Sequence, residues 1–182
     1  MNKVQPIKQK AKIDEVAQIL GEWNEKYRIM YLVGIYSGLR ISDILQLKVK
    51  DVYGREYIDI REKKTGKAKR FRINKNLAKD LGRYCSGKSP EEYLIRSRQG
   101  KNQPVVRQTA YDIIKRAGQK AGLDNMGTHS MRKTFGYHYY NQTGDIVTLQ
   151  KLFNHASSRV TLVYIGIEQD VIDEAVFNFE YK

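Results

Sequence analysis

The hydrophobic period of this chain is interrupted between Val52 and Ile73, and that interruption limits the folds open to it. Before it, Ile13, Val16, Ile19, Leu20 and Trp23 recur at helical spacing. A second apolar helix is expected from Tyr27 to Tyr36, ended by Gly38, which can take a positive φ without strain. Arg40 opens a third, with Ile41, Ile44, Leu45 and Leu47 inward. Inside the interruption, Tyr57-Ile58-Asp59-Ile60 and Arg70-Phe71-Arg72-Ile73 alternate polar and apolar, the period of strands, with Thr65-Gly66 as a turn between them. Val52-Tyr53 is expected to add a short third strand.

Helical spacing then returns over Leu77–Tyr84, Arg107–Ala121, Ser130–Asn141 and Ile146–Asn154, the last capped by Asp145. Ser86 to Pro104 reads as loops around the apolar centre Tyr93-Leu94-Ile95. One hairpin set among helices predicts an α+β, mainly α, fold with a small antiparallel sheet. A length of 182 residues favours one domain, folded over 13–182, after a polar, basic and flexible lead over 1–12.

The charge points to a polyanion. The net charge is +13, and Arg61 to Arg72 alone hold seven Lys/Arg against one acid, Glu62. Nucleic acid and an anionic membrane surface both fit such a balance. The N-terminus has no apolar signal region, the run Ile29–Tyr36 is too short to span a bilayer, and no helix sets bulky apolar residues opposite lysines. Nucleic acid is therefore the expected partner, and no membrane. The single cysteine, Cys85, suits a reducing cytoplasm and reads as a buried filler. The tail 168–182 differs, with five acids, one lysine and an apolar stripe of Val171, Ile172, Ala175, Val176 and Phe179. Such a segment should pack on protein rather than on DNA.

Three groups of residues carry chemistry. Ser37-Gly38-Leu39-Arg40-Ile41-Ser42-Asp43 comes first, then His129-Ser130-Met131-Arg132-Lys133, then Leu152-Phe153-Asn154-His155 with Tyr164 nine residues on. His129 and Arg132 share a helix face at i, i+3, so a proton donor and a phosphate-binding fork point at one target. Nine residues of unbroken helix turn about 900°, which would set His155 and Tyr164 on opposite faces. They share a site only if the helix breaks. Asn154 tolerates a left-handed backbone, and Ser157 or Ser158 can cap a new helix, so the sequence supplies the break. No carboxylate cluster spaced for Mg²⁺ and no Cys/His set for zinc is visible. Charge compensation is expected from side chains, with no cofactor.

The order Arg…Lys…His-x-x-Arg…His…Tyr resembles the tyrosine recombinases, the phage-integrase family, from about Ser37 to Tyr164. The resemblance implies roles. Arg40 and Arg132 would clamp the non-bridging oxygens of a DNA phosphate, with Asp43 supporting Arg40. Lys64, at the hairpin tip, would be the general acid, with Lys63 and Lys67 as rivals. His129 and His155 would hydrogen-bond the phosphate or move protons, and Tyr164 would be the nucleophile. Lys63, Lys67, Lys69, Arg70 and Lys133 are expected to touch DNA. His138 matches no motif and reads as structural. Two positions depart from the pattern: Asn154 stands where relatives often have Gly, and Lys133 where they often have His.

By the same resemblance, Tyr164 would form a 3′-phosphotyrosyl link without ATP or metal. Recombination would use four protomers on two DNA sites, docked through the C-terminal tail, from a chain that is a monomer without DNA. A bacterial or phage-encoded cytoplasmic protein at the nucleoid, serving a mobile element, is expected. About 36 residues precede the first arginine group, so the N-terminal DNA-binding domain usual in relatives is expected to be absent. A type IB-like topoisomerase and a non-catalytic DNA-binding regulator are the alternative readings.

Overall fold

The computed structural model describes residues 4–63 and 66–178. Helices α1 (Lys10–Trp23) and α2 (Glu25–Ser37) form a tight pair around Asn24. Its N–H closes α1 on the Leu20 carbonyl, and its side chain caps α2 by accepting from the Lys26 N–H. Ile29, Met30, Tyr31, Leu32 and Val33 of α2 are all buried, which makes α2 the central post. It packs against α1, α5 (Lys75–Cys85) and α7 (Thr128–Thr143). Truncating such a core residue to Ala typically costs about 2–5 kcal/mol.

Short helices α3 (Ile41–Ile44) and α4 (Val49–Val52) lead into the sheet. The third strand expected at Val52-Tyr53 is therefore absent: Val52 closes α4, whose first turn is held by the Lys48 N–H on Asp51 Oδ2 at 2.8 Å. Strands β1 (Tyr57–Arg61) and β2 (Ala68–Arg72) pair antiparallel, with Ile58 opposite Phe71 and Ile60 opposite Lys69. The register turns Ile58, Phe71 and Lys69 to one face and Asp59 and Arg70 to the other. Cys85 is buried as expected, and Leu94 and Ile95 of the loop segment are buried too.

Helix α6 (Arg107–Lys120) precedes α7. A smaller core of Leu149, Phe153 and Ile165 lies under α8 (Ile146–Phe153) and α9 (Ser158–Ile165), against Phe135 and Tyr164. Gly136 of α7 admits it: a Cβ there would lie 2.6 Å from Ile165 Cγ2 and 2.8 Å from Phe153 Cε2. Helix α10 (Ile167–Phe177) follows, with Val171, Val176 and Phe177 exposed.

The lead expected to be flexible is instead held over its described part. Helix α1 begins at Lys10, and Ile7 is buried. The Ile7 N–H donates to Thr134 Oγ1 at 2.9 Å, and its carbonyl accepts from His138 Nε2 at 2.9 Å. Burying one isoleucine and pairing its backbone offsets the ordering entropy that composition alone left unopposed. His138 has the structural role expected of it. Among the described residues, no helix is long and apolar enough to cross a membrane.

Candidate active site

The site forms where the C-terminal ends of α2 and α8 meet the first turns of α7. Arg132 joins them. It is 3% exposed, Nη1 donates to the Gly38 carbonyl, and Nη2 donates to the Phe153 carbonyl at 3.0 Å. Both acceptors lie at helix C-termini, where carbonyls lack intrahelical partners and the dipole favours a cation. The guanidinium also stacks over the Phe153 ring, 4.1 Å from its centroid. Burial, aided by Arg40, lowers its pKa to about 10, which still leaves it charged at neutral pH.

Gly38 makes this convergence possible. Its φ of +65° ends α2, and a Cβ would stand 2.6 Å from Phe135 Cδ1. The chain then turns into Arg40, which caps α3 in extended geometry. Arg40 Nη1 donates to Glu62 Oε1 at 2.6 Å. Asp43, expected to support Arg40, is buried, and its Oδ1 accepts from the Lys63 N–H at 3.0 Å, which fastens α3 to the hairpin beside Glu62.

The helix break between His155 and Tyr164 is built as the residues suggested. Asn154 has a φ of +54°, and Ser157 caps α9 by accepting from the Val160 N–H at 3.2 Å. The two rings consequently meet edge to face, with centroids 5.0 Å apart. Thr161 Oγ1 donates to the Ser157 carbonyl and lies 3.1 Å from His155 Nδ1. Its lone pairs are left for Nδ1–H, so neutral His155 keeps the lone pair on Nε2. Burial, then Arg132, Arg40 and Lys69, lower the His155 pKa to about 4.

Tyr164 Oη lies 3.4 Å from His129 Nδ1, and the Lys133 ammonium sits over its ring at 5.1 Å. Burial raises the phenol's pKa, while Arg132 and Arg40 pull it down. One edge of His129 meets solvent, yet loss of water on the cleft side, then Arg132, Lys133, Arg107 and Arg40, lower its pKa. A cavity of about 420 Å³ opens beside these groups, lined by Arg40, Ser42, Lys63, Arg107, His129 and Arg132 among others. Five expected residues, Arg40, His129, Arg132, His155 and Tyr164, thus share one location. Lys64 lies outside the described residues.

The expected DNA contacts divide. Lys63 lines the cleft and Lys133 covers Tyr164. Lys67 Nζ donates to Asn154 Oδ1 at 2.9 Å. Arg70 lies on the outer face of the hairpin, paired with Asp59 at 2.8 Å. Lys69 points inward, with its side chain only 13% exposed, onto Glu62 at 3.0 Å and the Leu152 carbonyl at 2.5 Å. Burial lowers its pKa, against Glu62. Sequence reading missed Glu62 and Arg107. Glu62 stood out only as the one acid of the basic hairpin, and Arg107 only as the first residue of a helix; the strand register is the signal that turns Lys69, which meets Glu62, inward. Among the described residues, no group of three or more His, Cys, Asp or Glu could hold a metal ion.

Known proteins resemble this chain in sequence and in fold. The model of the phage integrase family matches residues 10–170. A probable integrase/recombinase of Bacillus subtilis, YoeC, is 42% identical over 170 residues, 93% of each chain. The tyrosine recombinase XerA of Pyrococcus horikoshii is 27% identical over 90% of this chain, which spans 58% of that relative. In fold, a XerA recombinase crystal structure superposes with a TM-score of 0.76 at 22% identity, covering 98% of this chain and 67% of the other. A lambda integrase dimer bound to a COC′ core site gives 0.71 at 18% identity, covering 91% and 48%. The chain belongs to the phage integrase family, the tyrosine recombinases that break and rejoin DNA.

Proposed function

We propose that this chain is a site-specific recombinase in which Tyr164 attacks a phosphate of double-stranded DNA. A bond forms between Tyr164 Oη and phosphorus, the bond from phosphorus to the 5′ oxygen breaks, and a 3′-phosphotyrosyl link remains. The observation that carries this reading is the meeting of Arg40, Arg132, His129 and His155 around one phenol. Arg40 and Arg132 compensate charge on the non-bridging oxygens. The phenol proton must leave as the bond forms, and His129 Nδ1, at 3.4 Å, is an imidazole acceptor whose lowered pKa keeps it neutral at pH 7. Lys64 is our choice to protonate the leaving 5′ oxygen, by its place between Lys63 and Gly66. The free 5′-hydroxyl of another strand reverses the step, so the bond is conserved without ATP.

Four copies on two duplexes would complete strand exchange, with α10 as the docking element; its exposed Val171, Val176 and Phe177 support that reading. The test is a nicked duplex that traps the covalent product. The wild-type chain should give a denaturant-resistant adduct, and Tyr164→Phe none, while DNA binding persists. An adduct from Tyr164→Phe removes Tyr164 from the role. Exchange between two labelled sites, rather than relaxation of a supercoiled plasmid, separates a recombinase from a topoisomerase.

A further inference from the structure

Glu62 occupies an unusual position for a carboxylate. It is the one acid in the cationic run from Arg61 to Arg72, and it is 1% exposed. A carboxylate is not left in such a place unless it is paired and hydrogen-bonded. Its Oε1 accepts from Arg40 Nη1 at 2.6 Å and lies 3.0 Å from Lys69 Nζ, so one oxygen joins α3 to β2. Its backbone has a second task. The Glu62 N–H donates to the Lys67 carbonyl at 2.9 Å, and its carbonyl accepts from the Gly66 N–H at 2.8 Å. Those two bonds tie the end of β1 to the residues that lead into β2. Lys69, in turn, donates to the Leu152 carbonyl, one residue before the Phe153 carbonyl that receives Arg132.

We propose that Glu62 is a positioning residue for DNA cleavage, one that sets Arg40 against the hairpin and against the end of α8 that precedes His155. The proposal rests on the recombinase reading above. The chemistry favours positioning over affinity. A carboxylate 2.6 Å from Arg40 weakens that arginine's pull on a phosphate, so a site selected only to bind DNA would be better without it. The carboxylate instead occupies one nitrogen of the guanidinium and leaves its other N–H groups to face the cleft in a fixed orientation. It also balances Lys69, whose other charged or titratable neighbours are Arg40 on α3, Arg132 on α7 and His155 after α8.

Two variants separate charge from reach. Glu62→Gln keeps the shape and removes the charge; Glu62→Asp keeps the charge and shortens the reach. The probe is a nicked duplex recovered from a randomised pool by covalent capture on the wild-type chain. Single-turnover adduct formation should slow roughly 10–100-fold in both variants, the range seen when an orienting partner is lost. Dissociation constants for the same duplex should stay within about threefold, or tighten in Glu62→Gln, as removal of a negative charge from a phosphate site requires. In the DNA-free chain, the Lys69 Cε resonance should titrate at lower pH in Glu62→Gln and move little in Glu62→Asp.

Adduct formation within threefold of wild type in Glu62→Gln would overturn the proposal. So would parallel loss of binding, cleavage and melting temperature in both variants, which would make Glu62 a structural residue only. No adduct from the wild-type chain would overturn the recombinase reading and this proposal with it, whereas a wild-type adduct with an unchanged Glu62→Gln rate sinks the role of Glu62 alone.

Discussion

Arg132 donates to the Gly38 carbonyl and to the Phe153 carbonyl, and so ties the ends of two helices that lie far apart in the chain. The arginine proposed to clamp the phosphate is therefore also a contact that holds the fold. Arg132→Lys should expose the difference, because an ammonium on a flexible stem cannot fork onto both carbonyls while facing a phosphate. A fall of about 100-fold in adduct rate is expected, of the order seen when one donor to the reacting oxygens is lost. Melting temperature should fall as well. Quench-flow adduct assays and thermal melts check it, and a lysine variant as stable and as fast as wild type would contradict it.

Gly38 should tolerate no side chain. Its φ of +65° opposes Gly38→Ala, and so does Phe135, which would lie 2.6 Å from the added methyl carbon. The expected loss is about 1–3 kcal/mol, the size of a strained backbone position. Urea unfolding measures it directly.

Asn154 offers the opposite case. Its φ of +54° suits glycine, so Asn154→Gly should hold stability within about 1 kcal/mol, whereas Asn154→Val should lose about 1–2 kcal/mol. The valine variant should also lose adduct formation, because His155 and Tyr164 meet only across this break.

The histidines give stability a pH dependence of known sign. His155 titrates near 4 in the folded chain and near 6.5 when unfolded, and His129 is also lowered. Below pH 6.5 the unfolded chain binds more protons, so stability is full above that value and falls as pH drops toward 4. Unfolding free energy measured across pH 4–7 should show that slope, and His155→Gln should flatten part of it. An unchanged slope would mean that His155 is not held neutral.

Lys63 lines the cleft, and its backbone N–H, not its side chain, holds Asp43. Lys63→Ala should therefore leave the fold intact and weaken DNA binding across sequences. The slope of log K against log salt should become shallower by about one unit, the mark of one lost phosphate contact. Binding titrations at several salt concentrations decide it.

Much of this site could be read from residue chemistry because the signals were local. Asn154 and Ser157 advertise a helix break, Gly38 a helix end, and Asp145 a cap, and each is found there. One misreading was local, and the others came from interactions between distant segments. Val52-Tyr53 looked extended, but the Lys48 N–H on Asp51 curls the segment into α4. Residues 4–9 looked free because composition cannot show Thr134 waiting for the Ile7 N–H. The resemblance set Asp43 behind Arg40, whereas the carboxylate that Arg40 meets is Glu62, which comes from the hairpin just after β1. Lys69 seemed a surface cation until the register set it opposite Ile60.

The most direct measurement is the identity of the residue that becomes joined to DNA. The adduct formed on a nicked duplex can be digested with nuclease and trypsin, and the nucleotide-bearing peptide sequenced by mass spectrometry. The nucleotide is expected on Tyr164, in the peptide that begins at Val160. A nucleotide on any of the other tyrosines, or DNA binding with no covalent product under any substrate geometry, would contradict the assignment of Tyr164 as nucleophile.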